Sequence, residues 1–213
     1  MKKTVFVTIP IQAIEGKGWD PQGYIYTFNE NKKCEYNNKV HFAVNGFLAK
    51  TLNKGDEVKI IQILIKSSKS NAVRNAEIQQ QELDELTKNI GATIDYETII
   101  SDYDESGKTI EKRFRELIGV LEENRQIIMD MTYGTKTLIP VLYYVLGFAE
   151  KFFNADIKNI LYDKAEFEDG HPVPGTCELY DVTSLYYLNS LTSVMEAPDG
   201  KTALARLDKF FAL

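Results

Sequence analysis

Short apolar runs alternate with stretches of helical period along most of the chain. Thr4 to Ile9, Val58 to Ile65 and Ile127 to Met129 are almost wholly apolar, the pattern of strands buried on both faces. Thr93 to Ile100, Ile157 to Tyr162 and the short Glu178 to Val182 add three more strands. Between them, Phe42 to Leu52, Asn71 to Ile90, Lys108 to Glu123 and Leu138 to Phe153 have helical spacing. In Lys108 to Glu123 the apolar face is Ile110, Phe114, Leu117, Ile118 and Leu121, one stripe of a 3.6-residue period. Two further helical stretches, Ser184 to Met195 and Lys201 to Phe211, are split by Pro198-Asp199-Gly200. One polar excursion, Ile11 to Lys39, breaks the alternation after the first strand. Within it Tyr24 to Phe28 and Cys34 to Tyr36 read as a hairpin across Asn29 to Lys33. Glu166 to Thr176 reads as loop.

This order predicts an α/β fold: a Rossmann-like, doubly wound, mainly parallel sheet with helices on both faces and a hairpin-like insertion after the first strand. The expected domain spans residues 1–183. Residues 184–213 form a helical extension that packs on it or leads to an effector. Ligands of such sheets bind outside the carboxyl ends of the strands, where strand order reverses. Four segments follow strand ends and are expected to line one crevice: Thr8-Ile9-Pro10, Lys66 to Asn71, Asp130 to Lys136, and Tyr162 to Glu168.

Composition narrows the function classes. The chain has 213 residues, 44% hydrophobic and 11% aromatic, enough for one large domain. Its 25 basic and 31 acidic residues give a net charge of −6, which argues against DNA or other long nucleic acid as a partner but allows a small anion in a local pocket. Two distant cysteines without a CxxC fit a reducing, cytoplasmic setting. The apolar N-terminus is too short for a signal peptide, and no run reaches the length of a membrane span.

The richest chemistry lies in Asp130-Met131-Thr132-Tyr133-Gly134-Thr135-Lys136, between an apolar strand and a helix. Unpaired N–H groups at a helix start attract anions. Gly134 permits a sharp turn, while the hydroxyls of Thr132, Thr135 and Thr137 and the Lys136 charge suit phosphate oxygens. The same spacing also describes a capped strand-to-helix connection with a surface lysine. Ser67, Ser68, Lys69 and Asn71, after the second strand, read equally as phosphate or ribose contacts and as solvated loop. No GxGxxG follows the first strand, and neither GxxxxGK[ST] nor GxSxG occurs. His41 and His171 are not at ligand spacing, so no metal and no resident cofactor is expected.

Ile128-Met129-Asp130-Met131-Thr132-Tyr133-Gly134-Thr135-Lys136-Thr137-Leu138-Ile139-Pro140 resembles the D-x-T-x-G-x-[RK]-x-x-P signature of CARF domains, the CRISPR-associated Rossmann-like sensors. Asn159 to Phe167 resembles that family's tyrosine-bearing strand, and Asp181-Val182-Thr183 its last core strand; a first strand ending in Thr8 also fits. The resemblance implies a homodimeric receptor for a cyclic oligoadenylate, tetra- or hexa-adenylate, the second messenger of type III CRISPR antiviral defence. It places Thr135 and Lys136 on phosphate or ribose, with Gly134 allowing close approach. Thr132 and Tyr133 shape the floor, Thr8, Ile9 and Pro10 form a facing rim, and the Lys66 to Asn71 loop and Tyr162 are further walls. Asp130 orders the turn. Tyr133 and Lys136 depart from the small or histidine residue and the arginine frequent at those places. The HEPN ribonuclease often joined to such sensors is not evident, since no R-x4-6-H pair occurs. That leaves a stand-alone sensor, a metal-independent ring nuclease using Thr135 and Lys136, or the sensor part of a longer effector. The alternatives are a nucleotide-binding regulatory domain unrelated to CRISPR and a purely structural dimerisation module with a vestigial pocket.

Overall fold

The computed structural model describes residues 1–16 and 19–212; Lys17 and Gly18 of the insertion lie outside the described residues, as does Leu213. The chain divides into two compact units, Met1–Val182 and Thr183–Leu213.

The first unit is an α/β sandwich. Its strands are β1 (Lys2–Thr8), β2 (Glu57–Lys66), β3 (Thr93–Asp102), β4 (Gln126–Asp130), β5 (Asp156–Lys164) and, after a small pair β6 (Phe167–Glu168) and β7 (His171–Pro172), β8 (Glu178–Asp181). Six of them make one sheet in the order β3-β2-β1-β4-β5-β8. The first five are parallel and β8 runs antiparallel against β5. The helices are α1 (Ala43–Thr51), α2 (Ala72–Thr87), α3 (Gly107–Gly119) and α4 (Leu138–Phe153).

The chain steps from β1 outward through β2 to β3, then returns past β1 to β4. Right-handed crossovers place helices of opposite stepping direction on opposite faces. Accordingly α1 packs on α2, and α3 packs on α4. Strand residues alternate between these layers. Val5, Val7, Val58, Ile60 and Leu64 join Val44, Phe47 and Leu48 of α1 and Leu83 of α2 in one core.

The α1–α2 layer also carries buried polar groups. The Gln62 amide donates to Ala76 O and to Gln79 Oε1 (2.9 and 2.8 Å), and Gln79 donates to Asn45 Oδ1 at 2.7 Å. Asn45 donates to Glu82 Oε2 at 2.8 Å. The Glu82 carboxylate then accepts the N–H groups of His41 and Phe42 at 2.6 and 3.2 Å. Helix α1 has no side-chain cap of its own; Glu82 instead holds the N-cap residue Phe42 and the residue before it by their N–H groups.

Two local expectations are corrected. Tyr24 pairs antiparallel with Val40, not with Cys34 to Tyr36, and Thr27 bridges to Glu178. The reason is local: 31–35 curls into turns, with Cys34 N–H on Asn31 O at 3.0 Å, and Glu35 Oε2 takes the Phe28 N–H at 2.7 Å. Gly23 permits the observed path, since at φ 77° a Cβ there would lie 2.2 Å from the Val40 backbone. The stretch expected as loop at Glu166 to Thr176 contains the β6–β7 pair. Asp169 and Gly170, both at positive φ (50° and 82°), form the turn that an Asp-Gly pair favours.

The second unit contains α5 (Thr183–Val194) and α6 (Gly200–Phe211); Asp199 caps α6 by accepting the Thr202 N–H at 2.7 Å. Among the described residues no helix is long and apolar enough to cross a membrane.

Candidate functional site at the carboxyl ends of β1, β4 and β5

Strand order reverses between β1 and β4, and their carboxyl ends are joined by one hydrogen bond. The Tyr133 N–H donates to Thr8 Oγ1 at 2.9 Å. Asp130, the last residue of β4, accepts the Thr132 N–H (3.1 Å) and the Thr132 hydroxyl. Thr132 Oγ1 in turn accepts the Asp163 N–H from β5 at 3.0 Å. Thr132 thus ties the start of the turn to β5, and Thr8 ties it to β1. Gly134 sits at φ 110°, a conformation other residues adopt only with strain.

Beside this turn opens a cavity of about 400 Å³, within the size range of small-ligand sites. Its floor is Thr132, Tyr133 and Gly134; Tyr162, Asp163, Lys164 and Ala165 bound one side. The other side comes from the insertion, with Pro10 to Ile14, Trp19, Tyr24 and Tyr26, and from His41; Phe167, Gly170 and Pro172 complete the rim. Trp19 meets the His171 ring edge-on at 5.5 Å. Asn75 of α2 fixes the 10–12 segment, its amide donating to Pro10 O (2.8 Å) and Gln12 O (2.7 Å).

Asp163 lines the cavity, and Asp130, outside that lining, ends β4 close by. Burial raises Asp130 to about 7 against the hydrogen bonds from Thr132. Asp163 is pushed well above the usual carboxylate range, first by burial and then by the charge of Asp130. Burial likewise raises the phenols of Tyr26 and Tyr133, with Asp163 adding to both. The two basic wall residues each face another acid: His41 Nδ1 lies 3.1 Å from Glu82, and Lys164 Nζ lies 3.9 Å from Glu178.

Of the residues singled out from sequence, Pro10, Thr132, Tyr133, Gly134 and Tyr162 line the cavity. Thr8 lies beneath it, bonded to Tyr133, and Ile9 is fully buried. Thr135, Lys136 and Thr137 are not among the cavity residues. The Thr135 and Thr137 hydroxyls each accept from Arg113 Nη1 at 3.5 Å, and Thr137 donates to Glu105. Lys136 is exposed. Ser67, Ser68 and Lys69 lie outside the cavity, in a turn closed by Ser70 N–H on Ser67 O at 3.1 Å. Asn71 lines an adjoining open groove with Ala13, Glu15, Trp19 and His41.

Three contributions escaped the sequence reading. Asp163 lies within the Tyr162 to Glu168 segment expected to line the crevice but carries no role of its own in that reading. The insertion walls the site, and its aromatic density was the available signal, since Trp19, Tyr24, Tyr26, Phe28 and Tyr36 are too many for a solvated loop. Arg113 is fully buried. It donates to Ser101 Oγ (2.8 Å) and to the carbonyls of Asp102 and Asp104 (3.1 and 3.2 Å). Its place between Ile110 and Leu117, on the apolar stripe of α3, marked it as inward-facing.

Among the described residues no group of three His, Cys, Asp or Glu side chains is placed to hold a metal ion. No family model matches the chain, and no curated protein is similar to it.

Proposed function

We propose that this chain is a receptor for a cyclic oligoadenylate, tetra- or hexa-adenylate, acting as a homodimer in type III CRISPR defence. The observation that carries the reading is the position of the Asp130 to Pro140 signature. It forms the turn at the strand-order switch point, with an aromatic-walled cavity sized for a nucleobase beside it. An aromatic wall suits a purine face, and exposed Lys136 lies three residues along the turn from Tyr133, where a ring's phosphates would run. A symmetric ring matches two copies of one site related by a two-fold axis.

The test is a thermal-shift series with cyclic tri-, tetra- and hexa-adenylate against ATP and AMP. A ligand that binds only the native state raises the melting temperature. A shift with a ring, with one ring per two chains by calorimetry and a dimer by light scattering, supports the reading. A shift with AMP or ATP alone assigns a mononucleotide-binding regulatory domain instead. Incubation of excess ring in EDTA reads turnover: linear products ending in a 2′,3′-cyclic phosphate assign a ring nuclease, and an intact ring assigns a sensor.

A further inference from the structure

The two edges of the sheet are finished differently. β8 has four residues, and the insertion covers its outer side: Thr27 N–H donates to Cys177 O at 3.1 Å, and Leu179 N–H donates to Thr27 O at 2.8 Å. β3, at the other edge, has ten residues, keeps an unbroken register on β2 and carries no lysine or proline. Thr93 N–H donates to Asp56 O at 2.8 Å, and Tyr103 N–H donates to Lys66 O at 3.1 Å. Successive residues of a strand aim their backbone groups to opposite sides. The odd-numbered residues of β3 therefore face β2, and Ile94, Tyr96, Thr98 and Ile100 direct N–H and C=O outward. Asp102 does so too, but its carbonyl accepts from Arg113 at 3.1 Å. Among the described residues no strand pairs with this outward row. An open row of this length is a template for another strand unless lysine, proline or a bulge blunts it.

We propose that β3 binds β3 of a second copy, antiparallel about a two-fold axis at Thr98, so that two sheets join into one. Such an axis sets each residue opposite the one equally far beyond it. Thr98 then faces its own copy, and Tyr96 faces Ile100 in both halves. Threonine pairs and aromatic–β-branched pairs are favourable across strands. These side chains share one face of β3, and Thr98 and Ile100 are both exposed. The acids select the register. Asp95 falls opposite Ser101, Glu97 opposite Ile99, and Asp102 opposite Ile94. An axis at Glu97 would set that carboxylate against its own copy, and an axis at Tyr96 would set Glu97 against Asp95. Like charges directly opposite destabilise a strand pair. An axis at Ile99 would put Asp102 in the place of Ile100 opposite Tyr96. This interface goes beyond the receptor reading and does not rest on it. Antiparallel strands leave the two cavities at opposite ends of the joined sheet, whereas a dimer closing on one ring needs both on one side. A chain using both interfaces forms assemblies larger than a dimer.

The experiment has two parts, both on the free protein without ligand. Light scattering compares the wild type with Ile100→Lys, which adds a charge to the edge at a position already 49% exposed. Breaking a two-fold interface halves an assembly, so the wild type should have twice the mass of the variant at equal concentration, whatever other interface the chain uses. Thr98→Cys tests the register and does not depend on how Ile100→Lys folds. Residues facing each other as a hydrogen-bonded pair have Cα atoms about 5.5 Å apart, within reach of a disulfide. Mild oxidation of Thr98→Cys should give a covalent dimer that a reductant dissolves. Ile94→Cys and Ile100→Cys stand off the axis and should not, nor should the wild type with its native Cys34 and Cys177. Equal masses for the wild type and Ile100→Lys overturn the proposal. So does the absence of a covalent dimer from Thr98→Cys, or its equal formation by Ile94→Cys or Ile100→Cys. Every one of these results leaves ring binding to its own test.

Discussion

Asp56 and Asp130 are both almost completely buried, 2% and 4% exposed, at opposite ends of the same sheet. Asp56 stands just before β2, at the amino ends of the strands. Burial alone would raise it, but the Lys3 ammonium, the Met1 amine and the Asn53 N–H bring it down to about 2. Asp130 ends β4 at the carboxyl side. Among the described residues its carboxyl accepts only from the Thr132 N–H and hydroxyl, and burial lifts it to about 7. The carboxyl end does hold a buried cation, but Arg113 is engaged by the carbonyls of Asp102 and Asp104, by Glu105 and by the far half of the turn. One end of the sheet neutralises its acid and is closed. At the other, among the described residues, neither Asp130 nor Asp163 has an ion-pair partner, and Asp163 stands in the wall of a cavity, the condition under which titrating groups serve a site.

The largest effect should come from breaking the compensated end. Asp56→Ala leaves Lys3, itself 5% exposed, as a buried charge without its partner. A loss of about 3–5 kcal/mol is expected, read by urea unfolding at neutral pH. Because folding depresses this carboxyl, its contribution is complete above the unfolded value of about 3.9 and disappears as pH falls through about 2. A small, pH-independent loss would show that the amino end is not held by this pair.

Arg113→Met tests whether the far half of the turn is held independently of the cavity half. It strips donors from buried carbonyls, for an expected cost of about 2–4 kcal/mol. The Glu105 carboxylate is 39% exposed and adds little. Hydrogen exchange should quicken at Thr135 to Leu138 and stay slow at Tyr133, whose N–H rests on Thr8. Equal loosening of both halves would erase the distinction.

The layers of this molecule were legible because apolar period and burial report the same force. Leu138–Phe153 forms the helix its spacing predicts, and the apolar Val58 to Ile65 run is a doubly covered central strand. The turn at Asp130 was legible for the same reason, standing where an apolar strand meets an apolar helix. The cavity walls were not. The insertion has no repeating period, and its path is set by single contacts, Tyr24 on Val40 and Asn75 on Pro10 and Gln12, between residues far apart in sequence. A side chain such as Asp163 acquires its character only from neighbours that the fold brings to it.

Asp130 should make stability fall with pH, opposite in sign to Asp56. Its folded value of about 7 exceeds the unfolded value of about 3.9, so the native state binds the extra proton between them. The contribution is complete below about pH 4 and is lost as pH rises through about 7, with a slope of up to about 1.4 kcal/mol per pH unit. Asp130→Asn keeps an acceptor for the Thr132 N–H and should flatten that limb of the profile. An unchanged slope in the variant would assign the titration to other groups.

Lys136→Ala should disturb the fold least. The side chain is exposed at the surface of the turn, so unfolding free energy should change by no more than about 0.5 kcal/mol. Its value lies in the contrast with affinity. A charge-assisted bond to phosphate is worth about 1.5–3 kcal/mol, and a two-fold dimer would lose it at both sites on one ring. Calorimetry with cyclic tetra- and hexa-adenylate at two salt concentrations separates the cases. A loss of affinity that shrinks at high salt places the ring's phosphates over the far half of the turn, across from the aromatic cavity. Unchanged affinity with unchanged stability would make Lys136 a solvated lysine and confine recognition to the Thr132 to Gly134 half.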